Sequence, residues 1–223
     1  ADNAVAVFSR NSSTGALTYV EMQKDAVNGV DGLNGAMHVT VSSDGKHVYV
    51  AGRSDNAVAV FSRNSSTGTL TYVEMQKDGV NGVDGLNGAN SVTVSPDGNH
   101  VYTTGFVDDA VAVFSRNSST GALTYVEMQN DGVNGVDGLG NAIHVTVSPD
   151  GRHVYAAGGF DNAVAVFSRN SSTGALTYVE MQKDGLNGVD GLENAIHVTV
   201  SSDGKHVYAA GYHDAAVAVF SRD

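Results

Sequence analysis

The sequence predicts an all-β fold: a β-propeller built from four-stranded antiparallel blades, four of them in the chain. The first observation is a repeat of 53 residues, since the string Asp-Xaa-Ala-Val-Ala-Val-Phe-Ser-Arg begins at five evenly spaced positions. These are Asp2, Asp55, Asp108, Asp161 and Asp214. A repeat of this period indicates a solenoid or a propeller. The second observation is that each repeat holds four short apolar runs without a helical period, which is the strand content of one propeller blade.

The strands of one repeat can be read along residues 25–77 and are named A to D from the axis outward. Strand A begins at His38, and a Ser-Ser-Asp-Gly turn leads to strand B at His47. Strand C, Ala57–Phe61, is apolar on both faces, as expected of a strand between two neighbouring blades. An Asn-Ser-Ser-Thr-Gly turn leads to strand D at Leu70.

The order of the strands predicts a single domain, residues 1–223, that closes with strands from both termini. Residues 1–24 supply strands C and D of the closing blade, residues 184–223 supply its strands A, B and C, and three full repeats lie between them. The full repeats are 25–77, 78–130 and 131–183. One C strand, Ala4–Phe8 or Ala216–Phe220, is left over, and an unpaired strand edge invites pairing with another chain. We expect closure within one chain into four blades and self-association through the spare strand; an eight-bladed ring shared by two chains is the alternative.

Composition excludes several classes of partner. The net charge is −12, and the 12 lysines and arginines are spread through the repeats, so no basic patch is expected to bind nucleic acid or an anionic membrane. No apolar run reaches about 18 residues, so no membrane span is expected. The chain has no cysteine, which excludes disulfides and thiolate metal sites.

Three segments of the repeat resemble a known family. They are Ser-Pro-Asp-Gly-Arg-His-Val-Tyr-Ala-Ala-Gly at 148–158, Asp-Asn-Ala-Val-Ala-Val-Phe-Ser-Arg at 161–169 and Thr-Gly-Ala-Leu-Thr-Tyr-Val-Glu at 173–180. They are similar to the lactonase-like, YVTN-type repeats of bacterial propellers, and the resemblance covers nearly the whole chain. It implies a bacterial propeller. It leaves the function open, because that superfamily includes 6-phosphogluconolactonase-like enzymes, carboxymuconate-lactonising enzymes and surface proteins without known activity, and its enzymes normally have seven divergent blades.

The beginning of strand A supplies the first candidate site. Propeller symmetry places one residue of each repeat in a ring around the axis, and these residues are His38, Ser91, His144 and His197. Three imidazoles can bind a zinc ion if they converge on one point, although Ser91 interrupts the ring. Glu193 lies beside this ring and, with His197, is the nearest approach to an acid/base pair. An arginine like the one that the resembling family has beside the channel is missing, and we identify no catalytic residue.

Two further sets of residues are candidates for binding. Aromatic side chains lie in the loop between strands B and C of three repeats and suit a sugar ligand; they are Phe106, Phe160 and Tyr212. The glycine-rich connector before strand A carries regularly spaced aspartates, and oxygen ligands on a flexible loop suit Ca²⁺. These are Asp25, Asp31, Asp78, Asp84, Asp131, Asp137, Asp184 and Asp190. The alternative is ordinary turn chemistry, with the carboxylates capping their own backbone. We therefore expect no cofactor, with calcium as the alternative.

Uniform blades favour a non-catalytic protein, because catalysis needs different groups at different places. The leading interpretation is a scaffold exported to the surface or exterior of a bacterium, which binds a surface protein, a glycan or other copies of itself. The two alternatives are a lectin-like propeller with one sugar site in each blade and a lactonase-like hydrolase.

Overall fold

A computed structural model of the chain describes residues 2–222, which form seventeen strands in five antiparallel sheets and no helix. Three sheets are complete blades: β3(Ala36–Val41) to β6(Leu70–Lys77), β7(Ala89–Val94) to β10(Leu123–Asn130), and β11(Ala142–Val147) to β14(Leu176–Lys183). Their middle strands are β4(His47–Gly52), β5(Ala57–Arg63), β8(His100–Gly105), β9(Ala110–Arg116), β12(His153–Gly158) and β13(Ala163–Arg169). The terminal sheets are β1(Ala4–Arg10) with β2(Leu17–Lys24), and β15(Ala195–Val200), β16(His206–Gly211) and β17(Ala216–Ser221). The predicted four-stranded blades and their number are confirmed.

The hairpin turns form because short polar side chains bond their own backbone. In the A–B turn the Ser42 hydroxyl donates to the Asp44 carboxylate at 2.6 Å and accepts from the His47 amide at 3.0 Å. Gly45 closes this turn at φ +70°, where a residue without a Cβ is favoured. In the C–D turn the Asn64 side-chain oxygen accepts from the amides of Ser66 and Thr67. The sequence therefore fixes each hairpin locally.

The core lies between blades rather than inside any one of them. Strand C of the complete blades is enclosed, and Ala57–Phe61 is 0% exposed. Tyr49 and Val58 of one blade share a cluster with Leu86 and Phe114 of the next. Burying a side chain of this size contributes about 1.5–3 kcal/mol, so blade contacts supply most of the hydrophobic stabilisation. A blade therefore depends on its neighbours for its core.

The two terminal sheets do not join, which corrects the expectation of a closing blade made by both termini within one chain. β1 and β2 pair only with each other, and β17 pairs only with β16. Val217 and Val219 of β17 are 64% and 58% exposed, whereas their counterparts Val58 and Val60 are 0% exposed. The physical reason is that every blade packs against its neighbours in chain order, so the outer faces of the first and last sheets stay uncovered. The described chain is an open arc of blades.

The innermost strands of the arc are β3, β7, β11 and β15, which pack side by side in that order. They line the inner side of the arc, which we call the axial channel, and all four begin at the same end of it. The loops between strands B and C reach that end too, because the Arg53 amide donates to the carbonyl of Gly35, next to the first residue of β3. We call this end of the channel the axial mouth, defined by the first residues of these four strands and the four B–C loops.

Candidate active site

The predicted ring residues occupy the same position on four successive innermost strands at the axial mouth. His38 and His144 lie edge to face with ring centroids 5.7 Å apart, although Ser91 stands between them in the order of blades. His144 and His197 lie closer, with centroids 3.8 Å apart and ring planes 30° from parallel. The structure thus brings the three imidazoles together on one side of the channel.

Ring residues also connect neighbouring blades through the backbone. The Val92 amide donates to Nδ1 of His38, and the Val145 amide donates to the hydroxyl of Ser91, both at 3.4 Å. Ser91 therefore makes the same cross-blade contact that His38 makes. The substitution preserves the packing of the ring while removing an imidazole from it.

The environment of the ring lowers the pKa of two of its histidines, His38 and His144. Burial, together with the charges of His197 and His38, lowers the pKa of His144 to about 3. Burial also lowers the pKa of His38, against a hydrogen bond from the Val92 amide that raises it. Nδ1 of His144 is buried and has no hydrogen-bond partner among residues 2–222. His197 is the exposed member of the ring.

Glu193 lies in the connector just before β15 and is held by its backbone. Its amide donates to the Asp214 carboxylate at 2.7 Å, and its carbonyl accepts from the His213 amide at 3.1 Å. Within the described residues no hydrogen bond joins its carboxylate to His197. The acid/base pair suggested by the sequence is therefore not formed in this conformation, although Glu193 is exposed at the axial mouth.

The B–C loops give the axial mouth an aromatic rim. Phe160 and Tyr212 are 79% and 64% exposed, whereas Phe106 is partly covered. The cover is Arg53, whose guanidinium lies 4.1 Å from the centroid of the Phe106 ring, within cation–π range. Arg53 therefore brings a cation to the axial mouth. In the 53-residue repeat Arg53 corresponds to Phe106, Gly159 and Tyr212, so two of the other three repeats carry an aromatic residue at its position.

The two connector aspartates of each repeat lie close together, as the calcium hypothesis requires. A third aspartate lies beside each pair. In the first triad, Asp25, Asp31 and Asp55 place one carboxylate oxygen each within 4.8 Å of one another. The other triads are Asp78, Asp84 and Asp108; Asp131, Asp137 and Asp161; and Asp184, Asp190 and Asp214. The third member comes from the B–C loop, which sequence spacing alone does not connect with the connector. The ring histidines form no such group among the described residues, so the structure does not assemble the zinc site considered above.

Each triad also performs turn chemistry. One oxygen of Asp25 accepts from the Leu33 amide, one of Asp31 from the Gly32 amide and one of Asp55 from the Asn34 amide. Burial raises the pKa of Asp55, with the nearby charges of Asp25 and Asp31 adding to the effect. Both interpretations from the sequence therefore stay compatible with the geometry, and calcium binding remains a prediction.

The comparisons with known proteins agree with this architecture. The family described as "Lactonase, 7-bladed beta-propeller" matches residues 1–81, 75–185 and 131–223, so the chain belongs to this family. A 6-phosphogluconolactonase of Klebsiella pneumoniae is 26% identical over 167 residues, which are 73% of this chain and 49% of that protein. The chain thus spans about half the length of this relative.

Two solved structures show the same fold. A proposed 6-phosphogluconolactonase of Bacteroides uniformis has a TM-score of 0.78 at 20% identity, covering 99% of this chain and 61% of that one. A periplasmic gluconolactonase of Pseudomonas aeruginosa has a TM-score of 0.74 at 22% identity, covering 99% and 60%. The arc of blades therefore superposes on part of a larger propeller with little change of curvature.

These findings contradict the leading interpretation from the sequence, a non-catalytic scaffold. The chain belongs to a lactonase family, and the relatives are named as lactonases. Uniform blades misled the argument because uniformity holds for strands and turns, whereas the axial mouth is asymmetric. It carries Ser91 among three histidines, Arg53 among three aromatic residues and a single Glu193. Among residues 2–222 there is also no helix of a length and apolarity that would cross a membrane.

Proposed function

We propose that this chain hydrolyses a sugar lactone at the axial mouth. The observation that carries the proposal is the contact between His144 and His197, with centroids 3.8 Å apart, at the open end of a lactonase-family propeller. An exposed imidazole that packs against a buried second imidazole is suited to act as a general base toward water. Glu193, Arg53 and the aromatic rim lie at the same end of the innermost strands.

The reaction requires water to add to the lactone carbonyl and the ring C–O bond to break. In the proposal, His197 accepts the proton of the attacking water as its oxygen bonds to the carbonyl carbon. The imidazolium then returns that proton to the ring oxygen as this oxygen leaves, so that one lactone and one water give one hydroxy acid. His144 stays neutral because burial and its neighbours disfavour its charged form. It therefore packs against His197 and positions it.

The rim suggests how a sugar is held. Phe160 and Tyr212 expose aromatic surface on which a sugar ring can pack, in keeping with the binding role predicted for them. Arg53 is the cation of the axial mouth and suits a phosphate or carboxylate on the substrate. The names of the relatives support two substrates for testing, 6-phosphogluconolactone and gluconolactone.

The test measures acid release from both lactones, corrected for their spontaneous hydrolysis. We expect turnover by the unmodified chain and a loss of about 10²–10⁴-fold in kcat on His197→Ala, which is the usual contribution of a general base. Arg152→Ala is the control, since Arg152 is an exposed hairpin residue outside the axial mouth. Full turnover by His197→Ala would reject the role of His197. No turnover of either lactone by the unmodified chain would reject the hydrolase; sugar binding without turnover would then favour the lectin-like alternative.

A further inference from the structure

Three blade interfaces repeat one polar contact, which we call the arginine clamp. The last arginine of strand C reaches back to strand B of the preceding blade. Nε of Arg116 donates to the Tyr49 hydroxyl at 2.7 Å, and Nη2 lies 3.0 Å from the Asp44 carboxylate and 2.6 Å from Nδ1 of His47. Arg169 repeats the clamp on Tyr102, Asp97 and His100, and Arg222 contacts Asp150 and His153.

A second contact joins the outer strands at two of these interfaces, and the first sheet holds Leu70 of the next blade in the same way. Glu74 accepts from the Leu123 amide at 2.8 Å, and the side-chain amide of Gln76 donates to the Leu123 carbonyl at 3.1 Å. The leucine that begins strand D is thereby fixed to the preceding blade. Leu70, Leu123 and Leu176 are all buried at this position.

At the C-terminal end of the arc, the residues that accept the arginine clamp and those that bind the leucine of strand D are present without their partners. Asp203, His206 and Tyr208 on the last A–B hairpin correspond to the acceptors of the clamp, and within residues 2–222 no arginine contacts them. Glu180 and Gln182 bond each other but hold no leucine. Between β14 and β17 lies a cleft of about 500 Å³, the C-terminal cleft, where strand D of the last blade would lie. Its walls include Val164, Val179, Val219 and Phe220.

The missing partners, an arginine and a leucine of the same types, lie at the N-terminal end of the arc. Nη1 of Arg63 donates to the Gly45 carbonyl of its own blade, and the structure gives this arginine no clamp on a preceding blade. Leu17 begins strand D of the first sheet, yet it is 63% exposed. Tyr19 pairs with Phe8 in the same edge-to-face manner that joins Tyr72 to Phe61.

We propose that the C-terminal cleft binds β2 of a second copy of this chain as the fourth strand of the last blade. Leu17 of the second copy then meets Glu180, Tyr19 packs on Phe220, and Arg63 completes the clamp on Asp203, His206 and Tyr208. The charges are complementary, and three internal interfaces show that the same side chains form this contact. Edge-strand addition supplies the backbone hydrogen bonds.

The arrangement requires β1 of the second copy to give up its place to β17. The two strands have the same Ala-Val-Ala-Val-Phe-Ser sequence and compete for one position. β17 is the better anchored, because its neighbour Arg222 is already clamped to Asp150 and His153, whereas Arg10 and Phe8 are exposed. Reciprocal exchange closes a ring of two chains. A ring of eight blades suits the curvature shared with larger propellers better than a ring of four.

A charge exchange tests the clamp in the 223-residue chain. We expect light scattering to give twice the 23.0 kDa chain mass, and at least a tenfold weaker dimer for Asp203→Lys and for Arg63→Glu alone. Mixing the two variants should restore the dimer, because both junctions of the mixed ring pair opposite charges. Circular dichroism confirms that each variant is folded. A chain that stays at 23.0 kDa, or a mixture without recovery, overturns the proposal.

A disulfide tests which strand occupies the cleft. Ser9 faces Thr18 in the first sheet, and Ser221 is the counterpart of Ser9 in the last. The chain has no cysteine, so Thr18→Cys with Ser221→Cys introduces one reactive pair. We expect a covalent dimer on oxidation. A cross-linked monomer, or no cross-link at all, overturns the proposal; the monomer would show closure within one chain.

Discussion

Nη2 of Arg116 lies 2.6 Å from Nδ1 of His47 across a blade interface. An arginine can only donate, so His47 accepts through a neutral ring with its proton on Nε2. This geometry agrees with the lowered pKa of His47, which burial and the charge of Arg116 produce. His47 begins strand B, directly after the A–B hairpin turn. The hairpin is tied by Ser42, and the histidine holds the next blade.

We expect Asp97→Asn to lower the free energy of unfolding by about 1–2 kcal/mol, because Arg169 loses its carboxylate while remaining buried. Asp203→Asn is the matched control, since Asp203 makes the same turn contacts and meets no arginine in the described chain. Urea denaturation measures both. Equal losses would show that the turn, and not the clamp, accounts for the effect. The comparison belongs at low protein concentration, where the proposed dimer contributes little.

Acid should destabilise the fold through His144. The pKa of His144 is about 3 in the folded chain and ordinarily 6.5, so the unfolded chain takes up the proton first as the pH falls. Stability linked to this group is therefore complete above pH 6.5 and declines below it, by about 2 kcal/mol at pH 5. Unfolding at pH 7 and pH 5 measures the difference. His144→Ser, which copies Ser91, should reduce the pH dependence; an unchanged dependence contradicts the assignment.

At still lower pH the arginine clamps should lose the stabilisation that their carboxylates contribute. Burial alone would raise the pKa of Asp97, but hydrogen bonds from Ser95, the Asn99 amide and Arg169 together lower it. The stability due to this carboxylate is thus present above its ordinary value of 3.8 and is lost as the pH falls below it. Asp97→Asn should show less of this acid loss than the unmodified chain. Parallel curves for the two proteins below pH 4 would contradict the prediction.

Strands and hairpin turns could be predicted from the sequence because local rules fix them. Two-residue alternation gives β5, and the Asn64 turn caps itself. The contact between His47 and Arg116 spans 69 residues, so it depends on how the blades are placed side by side and has no local signal. Asp55 joins the connector triad for the same reason.

The closure of the ring could not be read from the repeat. Identical blades can pack side by side in rings of different sizes, and the repeat sequence does not determine the angle between neighbouring blades. The residues that the blades share likewise give no signal for the candidate site. The informative residues at the axial mouth are those that break the repeat, namely Arg53, Ser91 and Glu193.

Added Ca²⁺ should raise the melting temperature if the aspartate triads bind it. Repulsion within a triad contributes to the raised pKa of Asp55 and Asp108, where burial is the main cause, and a bound cation would relieve that repulsion. Stabilisation then grows with the logarithm of the ion concentration above its dissociation constant. Melting in millimolar Ca²⁺ is compared with melting in chelator, and Asp84→Asn should reduce the rise by removing one of four triads. Identical melting in both buffers would show that the carboxylates serve only as turn acceptors.

The aromatic rim should affect substrate binding and stability separately. Phe160 and Tyr212 are exposed, so their replacement by alanine should change the free energy of unfolding by less than about 0.5 kcal/mol. If a sugar packs on them, KM for a lactone rises about 5- to 30-fold, equivalent to about 1–2 kcal/mol, with little change in kcat.

Phe106→Ala is the internal comparison, because Phe106 holds the guanidinium of Arg53 and its loss should also cost stability of about 0.5–1 kcal/mol. Steady-state kinetics and urea denaturation of the three variants measure both effects. Unchanged KM in Phe160→Ala and Tyr212→Ala would remove these side chains from the binding site, and a fall in kcat alone would assign them to orienting the reacting carbonyl instead.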